Sequence, residues 1–145
     1  MNNSAGFTLA ELVVTVVLVG ILAAAAIPTF NNVMVSAQLQ INLSNMETIK
    51  NAFMRYYFVT QDDLPPVPEN NLLDSEYKDL VLPDGRTPDN LFNGKDGLPY
   101  NSNGDPYSYY LENDTSSTGF VSRTITIKDM NTDSPSYEEY VIGGI

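Results

Sequence analysis

The sequence predicts an α+β fold in which one long N-terminal α-helix packs on a small antiparallel β-sheet. An apolar stretch of 21 residues runs from Phe7 to Ile27, and apolar residues then recur at helical spacing as far as Val59. The remaining residues, 60–145, hold eight of the nine prolines and several short runs of alternating polar and apolar residues. That composition is typical of loops and short strands. We therefore expect a helix with an apolar first half and a small head.

The apolar stretch has the length of a membrane span. About 20 apolar residues are enough for a helix to cross the hydrocarbon core of a bilayer, and Glu11 is the only charged residue from Phe7 to Ile27. A carboxylate inside such a span is costly in lipid, which indicates a functional role or a partner of opposite charge. We therefore predict a transmembrane helix over residues 7–27 in which Glu11 has a specific task.

Two simpler explanations of this segment fit less well. An ordinary secretory signal has a basic start and an apolar core of about 7–15 residues, whereas residues 1–6 contain no lysine or arginine and the apolar stretch is longer. The alanines at 23–26 resemble a signal cleavage site, but Glu11 would then lie inside the apolar core. A plain membrane anchor leaves Glu11 without a purpose.

The six residues from Gly6 to Glu11, Gly-Phe-Thr-Leu-Ala-Glu, resemble the processing and methylation motif of type IV pilins and type II secretion pseudopilins. Gly20 and Pro28 also lie where that family has residues that disturb the helix. The resemblance implies that a prepilin peptidase removes a leader, residues 1–6, by cutting after Gly6, and that it methylates the new N-terminus at Phe7. It also implies the pilin fold.

The same resemblance implies that the protein is a structural filament subunit, in which Glu11 pairs with the Phe7 amine of a neighbouring subunit and sets the register. Its partners would be copies of itself, minor pilins or pseudopilins, the prepilin peptidase, and an inner-membrane assembly platform with a cytoplasmic ATPase. The subunit would first cross the bacterial inner membrane once, with its head outside the cytoplasm. It would then enter a periplasmic pseudopilus or a cell-surface pilus.

Gly20 and Pro28 are the two weak points of the predicted helix, because glycine lowers helix propensity and proline removes a backbone donor. We hypothesise that the stretch between them loses helical hydrogen bonds inside an assembled filament. The alternative is a gentle bend without melting.

The second half of the helix, residues 28–59, reads as amphipathic. Its apolar stripe consists of Leu39, Leu43, Met46, Phe53 and Tyr57, flanked by Ile49 and Tyr56. The polar residues predicted to face away from this stripe are Asn42, Asn45, Glu47, Thr48 and Asn51. We expect the stripe to form part of the core of the head.

The head, residues 60–145, is predicted to contain one short helix and three strands. The helix covers about Asn71–Asp79. The strands are Ser108–Glu112, Gly119–Lys128 and Tyr137–Ile142, and Asp114–Thr118 would connect the first two as a hairpin.

The composition disfavours enzymes and nucleic-acid binding proteins. Residues 60–145 contain 16 acidic and 5 basic residues, which accounts for the whole net charge of −11. A surface of that charge repels nucleic-acid phosphates. The chain has no histidine and no cysteine, so it lacks the commonest general base, thiol nucleophile and disulfide. We predict no catalytic residues and no direct contact with nucleic acid.

A second local match lies in the head. Residues 101–109 resemble the Asp-Pro-Trp-Gly-x-Pro-Tyr-x-Tyr segment of major type II secretion pseudopilins, with matches at Gly104, Pro106, Tyr107 and Tyr109. In that family a glycine- and aspartate-rich loop farther along the chain binds calcium. The match favours a major-pseudopilin-like subunit.

Several oxygen-bearing side chains near this segment suggest a calcium site, because calcium binds six to eight oxygens. The candidate ligands, all within 17 residues, are Asp89, Asp96, Asn101, Asn103 and Asp105. Asparagine and aspartate are also common in ordinary turns, so a loop without a metal explains the same residues. Calcium is the one cofactor that we consider, and no other is indicated.

An alternative function belongs to a different class. The protein would be a membrane-tethered binding module of the cell envelope that uses the helix only as an anchor. This alternative predicts that Glu11→Ala leaves function intact, whereas the filament hypothesis predicts failure of assembly with membrane insertion retained.

Overall fold

The structure, a computed structural model, describes residues 6–61, 64–92, 97–117, 119 and 121–145, apart from the side chain of Asp89. The elements in chain order are helix α1 (Leu9–Thr60), helix α2 (Ser75–Lys78), a 3₁₀ turn (Pro88–Phe92), and strands β1 (Ser108–Thr115), β2 (Val121–Lys128) and β3 (Tyr140–Gly144). The chain forms two compact units, Met1–Ala37 and Gln38–Ile145. We call the second the head unit. Of the predicted leader, only Gly6 is among the described residues.

Helix α1 continues without interruption through Gly20 and Pro28. It ends at Thr60, one residue beyond the predicted end at Val59. The next residue, Gln61, has a positive φ of 58° and donates its backbone N–H to the carbonyl of Tyr57, 3.1 Å away. A left-handed residue just after the last turn is a common way to end a helix, because it satisfies a carbonyl that the helix leaves free.

The part of α1 within the head unit buries one face. Its buried residues are Asn42, Met46, Ile49, Ala52, Phe53 and Tyr56. The predicted stripe is confirmed at Met46 and Phe53, while Leu39, Leu43 and Tyr57 are only half-buried. The prediction that Asn42 faces away from the core is wrong, because the head provides polar partners that satisfy its amide.

The three strands form an antiparallel sheet in the order β1-β2-β3. Tyr109 of β1 pairs with Ile127 of β2, and Ile127 in turn pairs with Val141 of β3. Ile125 lies two residues before Ile127 and therefore on the same face of the sheet. Both isoleucines and Tyr109 are buried in the same core as α1. The predicted fold, a long helix packed on a small antiparallel sheet, is therefore confirmed.

The predicted boundaries in the head need correction. Strand β1 extends to Thr115, so Asp114 belongs to the strand and not to the hairpin connection. Strand β3 begins at Tyr140, because Tyr137 lies in a turn and Glu138 has a φ of 63°. Thr118 and Phe120, which fall in the predicted connection and second strand, lie outside the described residues.

The predicted helix at Asn71–Asp79 is shorter than expected. Helix α2 occupies only Ser75–Lys78, and the Asp74 carboxylate caps it by accepting the backbone N–H groups of Glu76 and Tyr77. Before the cap, Leu72 forms a β-bridge with Ser108, which draws this segment against β1 instead of into the helix.

The core of the head unit is rich in tyrosine. The Tyr109 hydroxyl donates to the carbonyl of Pro65 at 3.0 Å, and the Tyr107 hydroxyl donates to the carbonyl of Asn42 at 3.3 Å. The buried hydroxyl of Tyr77 has no hydrogen-bond partner among the residues that the structure describes. Burial raises the pKa of Tyr77, Tyr107 and Tyr109, because a buried phenolate is poorly solvated. These side chains are therefore neutral at physiological pH.

Gly143 of β3 lies against the side chains of Met54 and Lys50 on α1, which would have to shift to admit a Cβ. A Cβ added at Gly143 would be 2.8 Å from Met54 Sδ and 3.2 Å from Lys50 Cγ and Cδ. Its neighbour Gly144 has no atom within 4 Å of the equivalent position. The two adjacent glycines therefore form a matched pair for testing how closely β3 approaches α1.

We expect Gly143→Ala to lower the free energy of unfolding of the head unit by about 1 kcal/mol, because Met54 and Lys50 must move to admit the added methyl. Gly144→Ala is expected to change the free energy of unfolding by less than about 0.5 kcal/mol. Urea titration of both full-length variants in detergent micelles, followed by circular dichroism, measures the difference. Equal midpoints would contradict this account of the β3–α1 contact.

Candidate functional site

The predicted cleavage site lies just before the first turn of α1. Gly6, Phe7 and Thr8 have no regular secondary structure, and the helix begins at Leu9. The Phe7 side chain is 83% exposed. The peptide bond between Gly6 and Phe7 is therefore in a non-helical segment, where the backbone is free to enter a peptidase.

Thr8 and Glu11 together cap the start of α1. The Thr8 backbone N–H and hydroxyl both donate to Glu11 Oε2, at 2.9 and 2.8 Å, and the Glu11 backbone N–H donates to Thr8 Oγ1 at 3.3 Å. This reciprocal arrangement is a capping box, which satisfies helix N–H groups that would otherwise lack partners. Sequence analysis assigned Glu11 an assembly task only. The Thr-x-x-Glu spacing from Thr8 to Glu11 was the signal for this second, local role.

The first part of α1 leaves its apolar surface uncovered. Every large apolar side chain from Leu9 to Val35 is exposed. Among the described residues α1 is the one helix that is long and apolar enough to cross a membrane, judged by length and composition. An apolar surface of this extent needs lipid or other apolar surfaces around it, because its exposure to water is unfavourable.

Gly20 and Pro28 both lie within this exposed part of α1. No atom comes within 4 Å of a Cβ added at Gly20, so the glycine is not required for any close contact within the chain. Pro28 leaves one backbone carbonyl of the preceding turn without its usual donor. The isolated chain thus keeps a helix that is weakened at two points, and melting between them in a filament stays a prediction.

Comparison with known families gives one match. Residues 1–27 match the family model of the prokaryotic N-terminal methylation motif. The chain carries the type IV pilin and pseudopilin signature. No curated protein and no solved structure matches the chain. The match ends at Ile27, so the pilin-type signature comes from the processing site and the apolar half of α1, not from the head.

The pilin-type signature points to a broad class of protein. It supports a type IV pilin-like or pseudopilin structural subunit, and it points to a structural role. It also implies self-assembly into filaments, together with contacts to other pilins and to prepilin peptidase. An apolar N-terminal helix with this signature fits anchoring in the inner membrane before assembly.

Three of the five candidate calcium ligands lie together in one loop of the described structure. Asp96 and the side chain of Asp89 lie outside the described residues. Asn101, Asn103 and Asp105 share one loop, but Asn101 Oδ1 already accepts the backbone N–H groups of Asn103 and Asp105, at 3.0 and 2.8 Å. Within the described ranges no three acidic side chains are close enough to hold a metal ion. The described residues alone form no acidic cluster of this kind, and calcium binding by the full candidate set stays a prediction.

The same loop instead contacts a buried carboxyl group that sequence analysis missed. Asn101 Nδ2 lies 3.3 Å from Asp129 Oδ1, and Asp129 is fully buried. Asp129 follows directly on β2, and the residues around it have the composition of an ordinary turn. Only the contacts across the fold distinguish it from the surface carboxylates.

Proposed function

We propose that this protein is a filament subunit that is cut between Gly6 and Phe7, methylated at Phe7, and polymerised through packing of α1. The observation that carries the proposal is the methylation motif, which ends at Ile27 and is joined to a helix whose apolar side chains are uncovered from Leu9 to Val35. Membrane lipid covers that surface before assembly. The helices of other subunits cover it afterwards.

In this proposal Glu11 determines how far one subunit is displaced along the filament relative to the next. Cleavage creates a positively charged amine at Phe7, and a charge in an apolar filament core is tolerated when an opposite charge lies within a few ångströms. Pairing Glu11 of one subunit with the Phe7 amine of its neighbour neutralises both charges at one stagger only. The uncovered valines, leucines and isoleucines contribute hydrophobic association between subunits, which is non-directional.

The capping box gives the Glu11 carboxylate hydrogen-bond partners before assembly. While the subunit is alone, the carboxylate accepts two hydrogen bonds from Thr8. During assembly it exchanges some of these contacts for the amine of a neighbour. The two hydrogen bonds from Thr8 support the proposal, because they give the carboxylate partners in the membrane until a neighbouring subunit arrives.

Among filament types, a secretion pseudopilus is favoured by residues 101–109. Three of the four residues that match major pseudopilins have structural tasks here: Gly104 adopts a φ of 88° in a tight turn, while Tyr107 and Tyr109 are fully buried. A surface pilus for adhesion, motility or uptake is the second candidate. The partners in either case are further copies, minor subunits, prepilin peptidase, and an assembly platform with its ATPase.

Intact-mass spectrometry tests the proposal. We expect the protein from membranes to begin at N-methylated Phe7, and Gly6→Leu to leave the chain uncut because the family's peptidase cuts after glycine. Gly20→Ala is the matched control, since it replaces another glycine of the motif region and should be processed normally. If the processed species is also found in sheared surface material, the filament is exposed on the cell surface. If it is found in membranes alone, a pseudopilus or a minor subunit is favoured. An unprocessed Met1 or a cut after Ala26 would refute the proposal.

A further inference from the structure

Asp129 is the one fully buried acidic residue among those that the structure describes. Burying a carboxyl group costs free energy unless its oxygens are hydrogen-bonded. Neither of the ion pairs in the described part of the chain involves Asp129, since they join Lys50 to Glu47 and Arg86 to Asp84. The compensation at Asp129 must therefore come from neutral donors.

Four groups supply these donors. The Ser134 and Ser136 hydroxyls donate to Asp129 Oδ2 at 2.6 and 2.5 Å. The Asn131 backbone N–H donates to Oδ1 at 3.1 Å, and Asn101 Nδ2 lies 3.3 Å from the same oxygen. Both carboxyl oxygens are thus occupied by groups from two separate parts of the head unit, the loop that includes Asn101 and the segment between β2 and β3.

Helix α1 contacts the two serines around Asp129 through its residue Asn42. Asn42 Nδ2 donates to the hydroxyls of Ser134 and Ser136 at 3.1 and 2.8 Å, and Asn42 Oδ1 accepts the backbone N–H of Ser102 at 2.8 Å. Each serine hydroxyl therefore accepts from Asn42 and donates to Asp129. Hydrogen bonds linked in this way polarise and strengthen one another.

Two further hydrogen bonds, away from Asp129, join the loop that includes Asn101 to the segment between β2 and β3. Asn131 Nδ2 donates to Asp105 Oδ2, and Asn103 Nδ2 donates to the carbonyl of Asp133 at 3.2 Å. Asn103 and Asp105, which sequence analysis considered as calcium ligands, are thus engaged with the segment between β2 and β3. The Asn103 Nδ2 and Asp105 Oδ2 atoms thus serve contacts within the protein.

We propose that the Asp129 cluster, consisting of Asp129, Ser134, Ser136, Asn101 and Asn42, is a metal-free clamp that fastens the segment before β3 to helix α1. The chain has no cysteine, so no disulfide performs this task. The clamp connects residues more than 90 positions apart, Asn42 and Ser136. It holds the chain on either side of the turn that leads into β3, and thereby keeps the edge strand of the sheet in place. This inference concerns the head unit and does not depend on filament assembly.

Thermal unfolding of the full-length protein in detergent micelles, with circular dichroism as the readout, tests the clamp. The wild-type midpoint should be the same, within about 1 °C, in excess EDTA and in millimolar calcium chloride, because no ion is needed to satisfy Asp129. Asp129→Asn should lower the midpoint by roughly 10 °C or more, since its amide meets donors where the carboxyl accepted two hydroxyls. That loss should be equal with calcium and with chelator.

Asp133→Asn is the matched control, because it makes the same change in the same segment at an exposed side chain, and its midpoint should stay within about 2 °C of the wild type. If Asp129→Asn fails to fold, Ser136→Ala is measured instead. We expect it to lower the midpoint of thermal unfolding by less than the value given for Asp129→Asn. A wild-type midpoint that rises by several degrees with calcium, and loses that rise in Asp129→Asn, would overturn the proposal in favour of a metal site. Equal midpoints for Asp129→Asn and Asp133→Asn would also overturn it.

Discussion

The Glu11→Gln variant is expected to insert into the membrane and to form no filaments. Glutamine has the same shape and retains an oxygen that accepts hydrogen bonds, so the capping box with Thr8 is preserved. What the variant loses is the charge that pairs with the Phe7 amine of a neighbour. Leaving one member of a buried ion pair without its partner costs about 3–5 kcal/mol, which weakens the contact between subunits roughly 150- to 4,000-fold.

Glu47→Gln is the matched control for this experiment. It makes the same change on the same helix, but Glu47 is exposed and pairs only with Lys50, so filaments should form normally. Immunoblots of filaments pelleted from sheared cells, together with crosslinked subunit ladders in the membrane fraction, measure assembly. Recovery of protein in the membrane fraction measures insertion. Filaments from Glu11→Gln at the wild-type level would favour the alternative of a tethered binding module.

Phe53→Ala is expected to be the most destabilising single truncation in the half of α1 that belongs to the head unit. Phe53 is fully buried, and its ring lies 5.0 Å from the ring of Tyr109 and 6.5 Å from that of Tyr77, measured between centroids. Truncating a buried phenylalanine removes apolar contacts and leaves a cavity, which costs about 3–5 kcal/mol in free energy of unfolding. The helix would thereby lose its ring contact with Tyr109 of the first strand.

Phe58→Ala provides the comparison on the same helix. Phe58 is 68% exposed, and its ring contacts only the ring of the neighbouring Tyr57 among the ring pairs of the described residues. Its truncation should change the free energy of unfolding by no more than about 0.5 kcal/mol. Urea titration of the two full-length variants measures both values. Similar losses for Phe53→Ala and Phe58→Ala would mean that the core is not arranged around Phe53.

The long helix and the sheet were predictable because their signals are local and repeated. Phe53 and Met46 repeat at helical spacing, and Ile125 and Ile127 alternate with polar residues, so each residue supports the same interpretation as its neighbours. The end of α1 was predictable to within one residue, because the apolar stripe stops before a proline-containing segment. The strand ends were less accurate, since β1 continues through polar residues as far as Thr115.

The clamp was not predictable for a physical reason. Asn42 is polar, and on a helix considered alone a polar residue is expected to face water. Its burial is favourable only because Ser134 and Ser136, more than 90 residues later, bring hydroxyl groups to its amide. Likewise, the residues that neighbour Asp129 in sequence predict an ordinary turn. Only its contacts across the fold make it a buried hydrogen-bond acceptor. Such residues depend on tertiary contacts that no local pattern contains.

The capping box at Thr8 and Glu11 has a consequence for the supply of subunits. In the proposed function, the carboxylate of an unassembled subunit already accepts hydrogen bonds from Thr8 within its own chain, so we expect the subunit to persist in the bilayer without polymerising at once. We therefore expect cells to keep a reserve of finished subunits in the membrane. Filament growth would then start and stop with the energy delivered to the assembly machinery, without waiting for new protein synthesis.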